Sequence, residues 1–360
     1  MPTRNLKRAA RTIEQDAKRW LIRGMLRILG PLPRRDSFTG TLDSMVILAQ
    51  EKLGDAILLT PLLKNLRRAR PQAKIHVVCV SSVYHFFERD PHVDVVYRVK
   101  ENYPAYFRRI RRQRFDLLFS TKDHSSFTFL YQSRLIGARL RVGIDHPDHE
   151  GFFNHLIRRD FHQHMIEKNC SVLDYLGVPY RPEDCRPYLP PEEISAEVSR
   201  FVGEMAGKNA VGINLSAGER SREWSFEKWQ ALLPHLPEPV VVLAMPERYG
   251  DKQELERRFP QILQSPRTGN LYEAGQIIRN LRLLISPDTS LIHVASCYNT
   301  PVIGLYRTDP VHLARFAPYL VPHRMLVSGS SRIEDIPVED AIDAVQDILG
   351  KKVAPLSNRV

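Results

Sequence analysis

Cysteine is scarce in this chain. Only Cys79, Cys170, Cys185 and Cys297 occur in 360 residues, and none forms a C-x-x-C pair. Cys79 lies in an apolar run and Cys297 on an expected helix, so the set reads as free thiols suited to a reducing compartment. No run of about 18 apolar residues exists, which excludes a membrane-spanning helix. No apolar segment follows the basic start, so no secretory signal is predicted and a cytoplasmic location is expected. Acidic residues are in deficit: 41 Asp and Glu face 52 Lys and Arg, giving a net charge of +11 and a pI near 9.5. Such a surface favours anionic partners, whether nucleic acid, acidic membrane or phosphorylated substrate. No stacking motif or recognition helix accompanies the charge, so nucleic acid is not predicted as a partner.

What is present is ample apolar material, 43% of the residues, in a length that suggests two domains, since single cores rarely grow past about 250–300 residues. The charge is uneven. Residues 1–35 hold ten Lys and Arg against Glu14 and Asp16. Residues 5–29 are predicted to be an amphipathic helix, with Leu6, Ala10, Ile13, Ala17, Trp20, Leu21 and Ile28 at helical spacing and Gly30-Pro31 as its stop. Its opposite face carries Lys7, Arg8, Arg11, Lys18, Arg19 and Arg23. A helix of this kind either lies in an anionic membrane surface or docks on its own protein.

Apolar strand-like runs then alternate with helical stretches. Ser44–Gln50, Lys74–Val80, Val93–Val99, Phe115–Ser120 and Leu140–Ile144 are the strands of a first domain. Ala210–Leu215, Val240–Ala244, Leu281–Ile285 and Pro301–Leu305 are those of a second. The alternation predicts parallel sheets. The boundaries are set at 1–40 for the basic extension, 41–180 for the first domain, 181–195 for a Pro- and acid-rich linker, 196–350 for the second domain and 351–360 for a tail. Two such sheets in tandem predict a ligand cleft at the carboxyl ends of the strands.

The segments after those strands carry the candidate chemistry. Gly54-Asp55 is expected in the turn after the first strand, where Asp55 serves either as a general base or as a helix N-cap. Asn214-Leu215-Ser216-Ala217-Gly218 is a small-residue loop that lets backbone N–H groups approach a phosphate, with Arg222 just beyond. It is neither a P-loop nor G-x-G-x-x-G, and a plain connecting loop explains it equally well. Ser286-Pro287-Asp288-Thr289-Ser290 precedes a helix whose N-terminus suits an anion, although Asp288 also fits a simple cap. His293 follows one turn later. His146, His149, His155, His162 and His164 have no recognised metal-ligand spacing, so no metal site is predicted. Arg108, Arg109, Arg111, Arg112 and Arg114, like Arg67, Arg68 and Arg70, are either solvated helix faces or, beside a cleft, holders of a phosphorylated acceptor.

Taken in order, these pieces resemble glycosyltransferase family 9, the ADP-heptose:lipopolysaccharide heptosyltransferases. Leu53-Gly54-Asp55 looks like the family's L-G-D segment. Ser216-Ala217-Gly218 through Arg222, then Trp224 and Trp229, resembles its phosphate loop and W-x-x-x-x-W. His164, Asn169 and Leu176-Gly177 resemble H-x-x-x-x-N…L-G, and Asp288 to His293 resembles D-T/S-G-L-x-H. The match spans about residues 44–350. Arg222 stands where Lys is common, Ser290 replaces a Gly, and Arg307-Thr308 replaces a Gly-Pro-Thr turn.

The resemblance implies an α/β fold of GT-B type, two Rossmann-like domains facing a cleft, with inverting transfer of a sugar from a nucleotide donor and no metal or cofactor. It implies Asp55 as the base, with Ser216, Ala217, Gly218 and Arg222 on the diphosphate and Glu247 on the ribose. Asp288, Thr289, Ser290 and His293 would line the donor site, and Lys52, Gly54 and His164 the acceptor site. The implied partners are a nucleotide sugar (ADP-heptose), a phosphorylated glycolipid acceptor of the lipopolysaccharide core, and the anionic inner membrane surface. The rival readings are a nucleotide-sugar epimerase of the same fold, which turns over its donor without an acceptor, and a non-catalytic membrane-binding protein.

Overall fold

The computed structural model describes residues 17–49, 52–99, 103–309 and 311–350. The chain divides into two compact units, Met1–Cys185 and Arg186–Val360.

The first unit is built on strands β1 (Ser44–Leu48), β2 (Lys74–Val80), β3 (Val95–Val99), β4 (Phe115–Ser120), β5 (Ala138–Ile144) and β6 (His155–Ile157). They form one sheet in the order β3-β2-β1-β4-β5-β6, parallel throughout. Its helices are α1 (residues 17–29), α2 (Leu53–Ala69), α3 (Tyr84–Glu88), α4 (Tyr103–Ile110), α5 (Phe127–Leu135), α6 (Met165–Cys170) and α7 (Val172–Tyr175). The central strands read as unbroken apolar runs because both their faces are covered: Met45, Val46, Ile47 and Leu48 of β1 and Leu117, Leu118 and Phe119 of β4 are all buried. The strand order reverses between β1 and β4, and in open α/β sheets the crevice at that reversal is where ligands bind.

The second unit repeats the scheme with β7 (Val211–Asn214), β8 (Val240–Leu243), β9 (Leu283–Pro287), β10 (Val302–Tyr306) and β11 (His323–Val327), interleaved with α8 (Ala196–Met205), α9 (Phe226–Leu232), α10 (Tyr249–Arg258), α11 (Leu271–Arg279), α12 (Ser290–Tyr298) and α13 (Val338–Gly350). The sheet order is β11-β10-β9-β7-β8, again parallel. Here the order reverses between β7 and β9. Trp224 and Trp229 anchor the core as a fully buried edge-to-face pair with ring centroids 4.9 Å apart, and Trp224 Nε1 donates to the Ile336 carbonyl at 3.1 Å.

Some boundaries differ from those expected. Leu53-Gly54-Asp55 is the first turn of α2 rather than the turn before it. Helix α9 is capped by Ser225 and ends where Pro234 enters a tighter turn, since proline cannot supply the next helical donor. The strands β6 and β11 were not foreseen. They are edge strands, and the half-exposed β11 lacks the apolar run that marks a buried one.

Helix α1 is a partial correction. Residues 1–16 of the predicted amphipathic helix lie outside the described residues. Over 17–29 the face that docks is Ile22, Met25 and Leu26, packed on the first unit's core, rather than the stripe Ala17, Trp20, Leu21 and Ile28. Gly151 makes the seat. Its φ is +79°, and a Cβ there would stand 3.0 Å from Leu26 Cδ1. Arg134 fastens the end of the helix by donating to the carbonyls of Leu29 and Gly30. Trp20 and Ile28 remain 73% and 85% exposed.

Candidate active site

In the first unit the site is built around α2, which leaves the carboxyl end of β1. Lys52 occupies its N-cap position and makes no capping bond; an ammonium group has no acceptor to offer. Asp55 is therefore not the cap. It is the third helical residue, half-buried in the first turn, where the helix dipole favours a carboxylate. Pro61 lies inside α2 and deprives the Ile57 carbonyl of its helical donor. The Thr60 hydroxyl replaces that donor at 2.8 Å, so the helix carrying Asp55 stays continuous.

Behind α2 lies α6. Asn169 Nδ2 donates to the Leu58 carbonyl at 3.0 Å. His164, 8% exposed, is the N-cap of α6, its Nδ1 accepting from Ile166 N at 3.2 Å. The H-x-x-x-x-N pattern thus brackets a helix that supports α2. Between the two, Lys168 is 1% exposed and its Nζ meets Asp123 Oδ2 at 2.7 Å, just beyond the carboxyl end of β4. It also donates to the Phe161 carbonyl. This buried pair, beside the β1–β4 reversal, was not anticipated. Two charged side chains so far apart in sequence carry no local signature.

In the second unit Asn214, the last residue of β7, is a hub. Its Nδ2 donates to the Ser216 carbonyl at 3.1 Å and to Ser286 Oγ at 3.0 Å, and lies 3.4 Å from Thr289 Oγ1; its Oδ1 accepts from Ser216 N at 3.1 Å. One side chain thus ties the loop after β7 to the loop after β9. The Ser216 hydroxyl accepts from Met245 N at 2.7 Å and joins the loop after β8, where Glu247 sits exposed in a short turn. Ala217 and Gly218 continue to the surface, and a Cβ built on Gly218 would meet open space.

Arg222 crosses to the next strand end. Its Nη1 donates to the Asp288 carbonyl at 3.1 Å and lies 3.3 Å from Asp288 Oδ2. Burial pushes the Asp288 carboxyl above its ordinary value, opposed by Arg222 and then Arg307. Asp288 is not the cap of α12; Thr289 is, its Oγ1 accepting from Leu291 N at 3.3 Å. Ser290 opens that helix, and His293 lies buried one turn on, 6.5 Å ring to ring from Phe316. Tyr306, at the end of β10, is buried, and desolvation followed by the Asp288 charge raises its phenol well above the usual value.

Among the described residues no group of three His, Cys, Asp or Glu side chains is placed to hold a metal. His146 and His149 are spent on turns: His146 Nδ1 accepts from Asp148 N, and the two ring nitrogens of His149 face the Ile144 and His124 carbonyls. Arg67 and Arg68 are likewise committed, to Asp94 and Asp184. The Arg108–Arg114 run is exposed.

Each unit therefore gathers its candidate groups where its strand order reverses, Asp55 in the first and Asn214, Ser216, Arg222 and Asp288 in the second. That is the arrangement of a two-sheet, doubly wound α/β protein. The profile of glycosyltransferase family 9 (heptosyltransferase) matches residues 104–333, more than half of the chain. The protein belongs to this family; it is a glycosyltransferase, and its fold is of the GT-B type.

Among proteins of known function it is similar to lipopolysaccharide heptosyltransferase 3 of Escherichia coli, at 24% identity over 332 residues, covering 82% of this chain and 96% of that one. Among solved structures it resembles the family 9 glycosyltransferase of Veillonella parvula, with a TM-score of 0.67, 19% identity and coverage of 88% and 99%. It also resembles E. coli heptosyltransferase WaaC with ADP, with a TM-score of 0.64, 15% identity and coverage of 85% and 98%.

Proposed function

We propose that this enzyme transfers heptose from ADP-heptose to a phosphorylated acceptor of the lipopolysaccharide core, inverting the anomeric centre. The single observation that carries the donor half is the Asn214 hub, which ties the Ser216 loop to Ser286 and Thr289, where Arg222 joins it through the neighbouring Asp288 carbonyl. The family relation and the ADP in the WaaC structure support the choice of nucleotide.

In this reading the acceptor hydroxyl attacks the anomeric carbon while Asp55 removes its proton. The bond from that carbon to the phosphate oxygen breaks, and ADP leaves with the electron pair. Negative charge grows on the diphosphate, where Arg222 and the N–H groups of Ala217, Gly218, Thr289 and Ser290 stabilise it. Glu247 takes the ribose and His293 backs the cradle. Lys52 and Gly54, beside Asp55, face the acceptor, and His164 serves that side by holding α6 in place. The anionic inner membrane surface is the proposed docking partner of α1. Trp20, Leu21 and Ile28 form its exposed apolar stripe, flanked by Arg19, Arg23 and Arg27.

The test is purified enzyme incubated with a panel of nucleotide sugars, with and without a short core acceptor, followed by mass spectrometry. ADP-heptose consumed only with acceptor, yielding ADP and an acceptor heavier by one heptose, supports the proposal. Donor conversion without acceptor would instead favour the epimerase chemistry, and turnover of a different nucleotide sugar would overturn the assignment of the donor.

A further inference from the structure

Glu219 lies in the loop after β7, and its carboxylate is held between two guanidinium groups. Oε1 is 3.8 Å from Arg222 Nη2 and Oε2 is 3.4 Å from Arg307 Nη1. Arg307 follows the last residue of β10 and also donates to Ser221 Oγ at 3.0 Å. Arg222 reaches Asp288 on its other side. Two cations from different strand ends thus face two carboxylates of different character. Asp288 is drawn into the protein and fixes Arg222. Glu219 is the solvent-side member, its side chain 52% exposed against 23% for Arg222 and 29% for Arg307. The nearby His312 is turned towards Asp309, with 3.8 Å between Nε2 and Oδ2.

A carboxylate bridging two arginines holds a place that a phosphate group can take between the same two forks. An exposed pair of this kind is weak and easily exchanged. A diphosphate brings more charge and more oxygens than the single carboxylate it would replace. With Glu219 displaced, Arg222 still holds Asp288 while the Arg307 guanidinium and the outer edge of Arg222 are left to a ligand, Asp309 standing against His312.

We infer that Arg222 and Arg307 form a two-arginine clamp for the donor's diphosphate, and that Glu219 is an internal placeholder which the diphosphate displaces. The inference rests on the donor-site reading above and adds to it Arg307 and the competing carboxylate.

The test is calorimetric titration of the full chain with ADP, UDP and GDP, with adenosine as the phosphate-free control. The variants are Arg222→Ala, Arg307→Ala, Arg307→Lys and Glu219→Gln, each checked by melting temperature. Arg307→Ala is expected to weaken ADP about 10- to 150-fold, the worth of one charge-assisted bond, and to leave adenosine affinity unchanged. Arg307→Lys should recover part of the loss, and Glu219→Gln should tighten ADP roughly 2- to 5-fold by removing a surface-strength competitor. ADP affinity within twofold of wild type in Arg307→Ala, or weaker ADP binding in Glu219→Gln, overturns the clamp. If Arg222→Ala still loses ADP in that case, the donor-site reading stands and only the clamp falls. If the wild type binds none of the three diphosphates, both fall.

Discussion

Asp55→Asn separates catalysis from folding more cleanly than any other change in the first unit. The carboxylate is the third residue of α2 and is not its cap. Its charge interacts with the helix N-terminus by about 0.3–1 kcal/mol. Asn keeps the shape and loses only that charge. For a unit the size of Met1–Cys185 a loss of 1 kcal/mol lowers the melting temperature by about 2–4 °C, which is the shift expected from that charge. The catalytic effect is of another order. A positioned general base contributes about 10²–10⁴-fold, and the amide accepts no proton, so kcat should fall by that factor. ADP affinity should not change, because the proposed nucleotide cradle belongs to the second unit. The assay is release of ADP at saturating donor and acceptor, with melting and ADP titration run on the same preparations. A kcat within about threefold of wild type would refute the assignment of Asp55 as base. So would a melting temperature lowered by about 10 °C or more with normal turnover in the folded fraction, which would make Asp55 a structural residue.

Lys168→Met should cost up to about 3–5 kcal/mol in denaturant unfolding, because it removes the lysine from the buried Asp123 carboxylate, whose other oxygen meets the half-exposed His124 Nδ1 at 3.3 Å. The Lys168→Met/Asp123→Asn double variant should recover part of that, and a single-variant loss below about 1 kcal/mol would show the pair to be dispensable. Burial lowers the His76 imidazole to about 4, opposed by Asp94 and reinforced by Arg109 and Lys74. The unfolded chain therefore binds this proton first, so the contribution is complete above pH 6.5 and is lost as pH falls towards 4. It amounts to about 3 kcal/mol at most. His76→Phe, packed by Tyr97 and Phe115, should flatten that part of the stability–pH curve, and an unchanged slope would exclude His76 as its source. Trp20→Ser with Ile28→Ser should abolish sedimentation with anionic vesicles while melting is unchanged, since both side chains are exposed; retained binding would remove α1 from the membrane contact.

The central strands were legible because burial on both faces writes an apolar run into the sequence, as in Met45–Leu48 and Leu283–Ile285. The half-exposed edge strand β11 carries no such run and escaped notice. Helix α1 was legible as amphipathic, but its docked side was not. Ile22 and Leu26 differ from Leu21 and Ile28 only in facing Gly151 and the core behind it, a partner more than 120 residues away. Of the proposed donor cradle, Arg222, Asp288 and Thr289 are readable as candidates from their places after strands. Asn214, Glu219 and Arg307 gain meaning only through contacts that span 72 to 88 residues, which no local pattern encodes.

Why weak motifs after the first strand of each sheet were informative at all is a matter of topology. Where the strand order reverses, the connections leaving two neighbouring strands pass to opposite faces of the sheet, and neither fills the space between them. In the first unit that gap opens beside β1 and β4, so α2 can present Asp55 on one side while Asp123 and Lys168 brace the other. In the second it opens beside β7 and β9, so one asparagine can span it and hold both loops. A Gly-Asp or Ser-Ala-Gly segment elsewhere along these strands would be a connecting turn. At the reversal its backbone donors and short side chains lie where open α/β sheets bind ligands, and the proposed chemistry rests on that position more than on the motif.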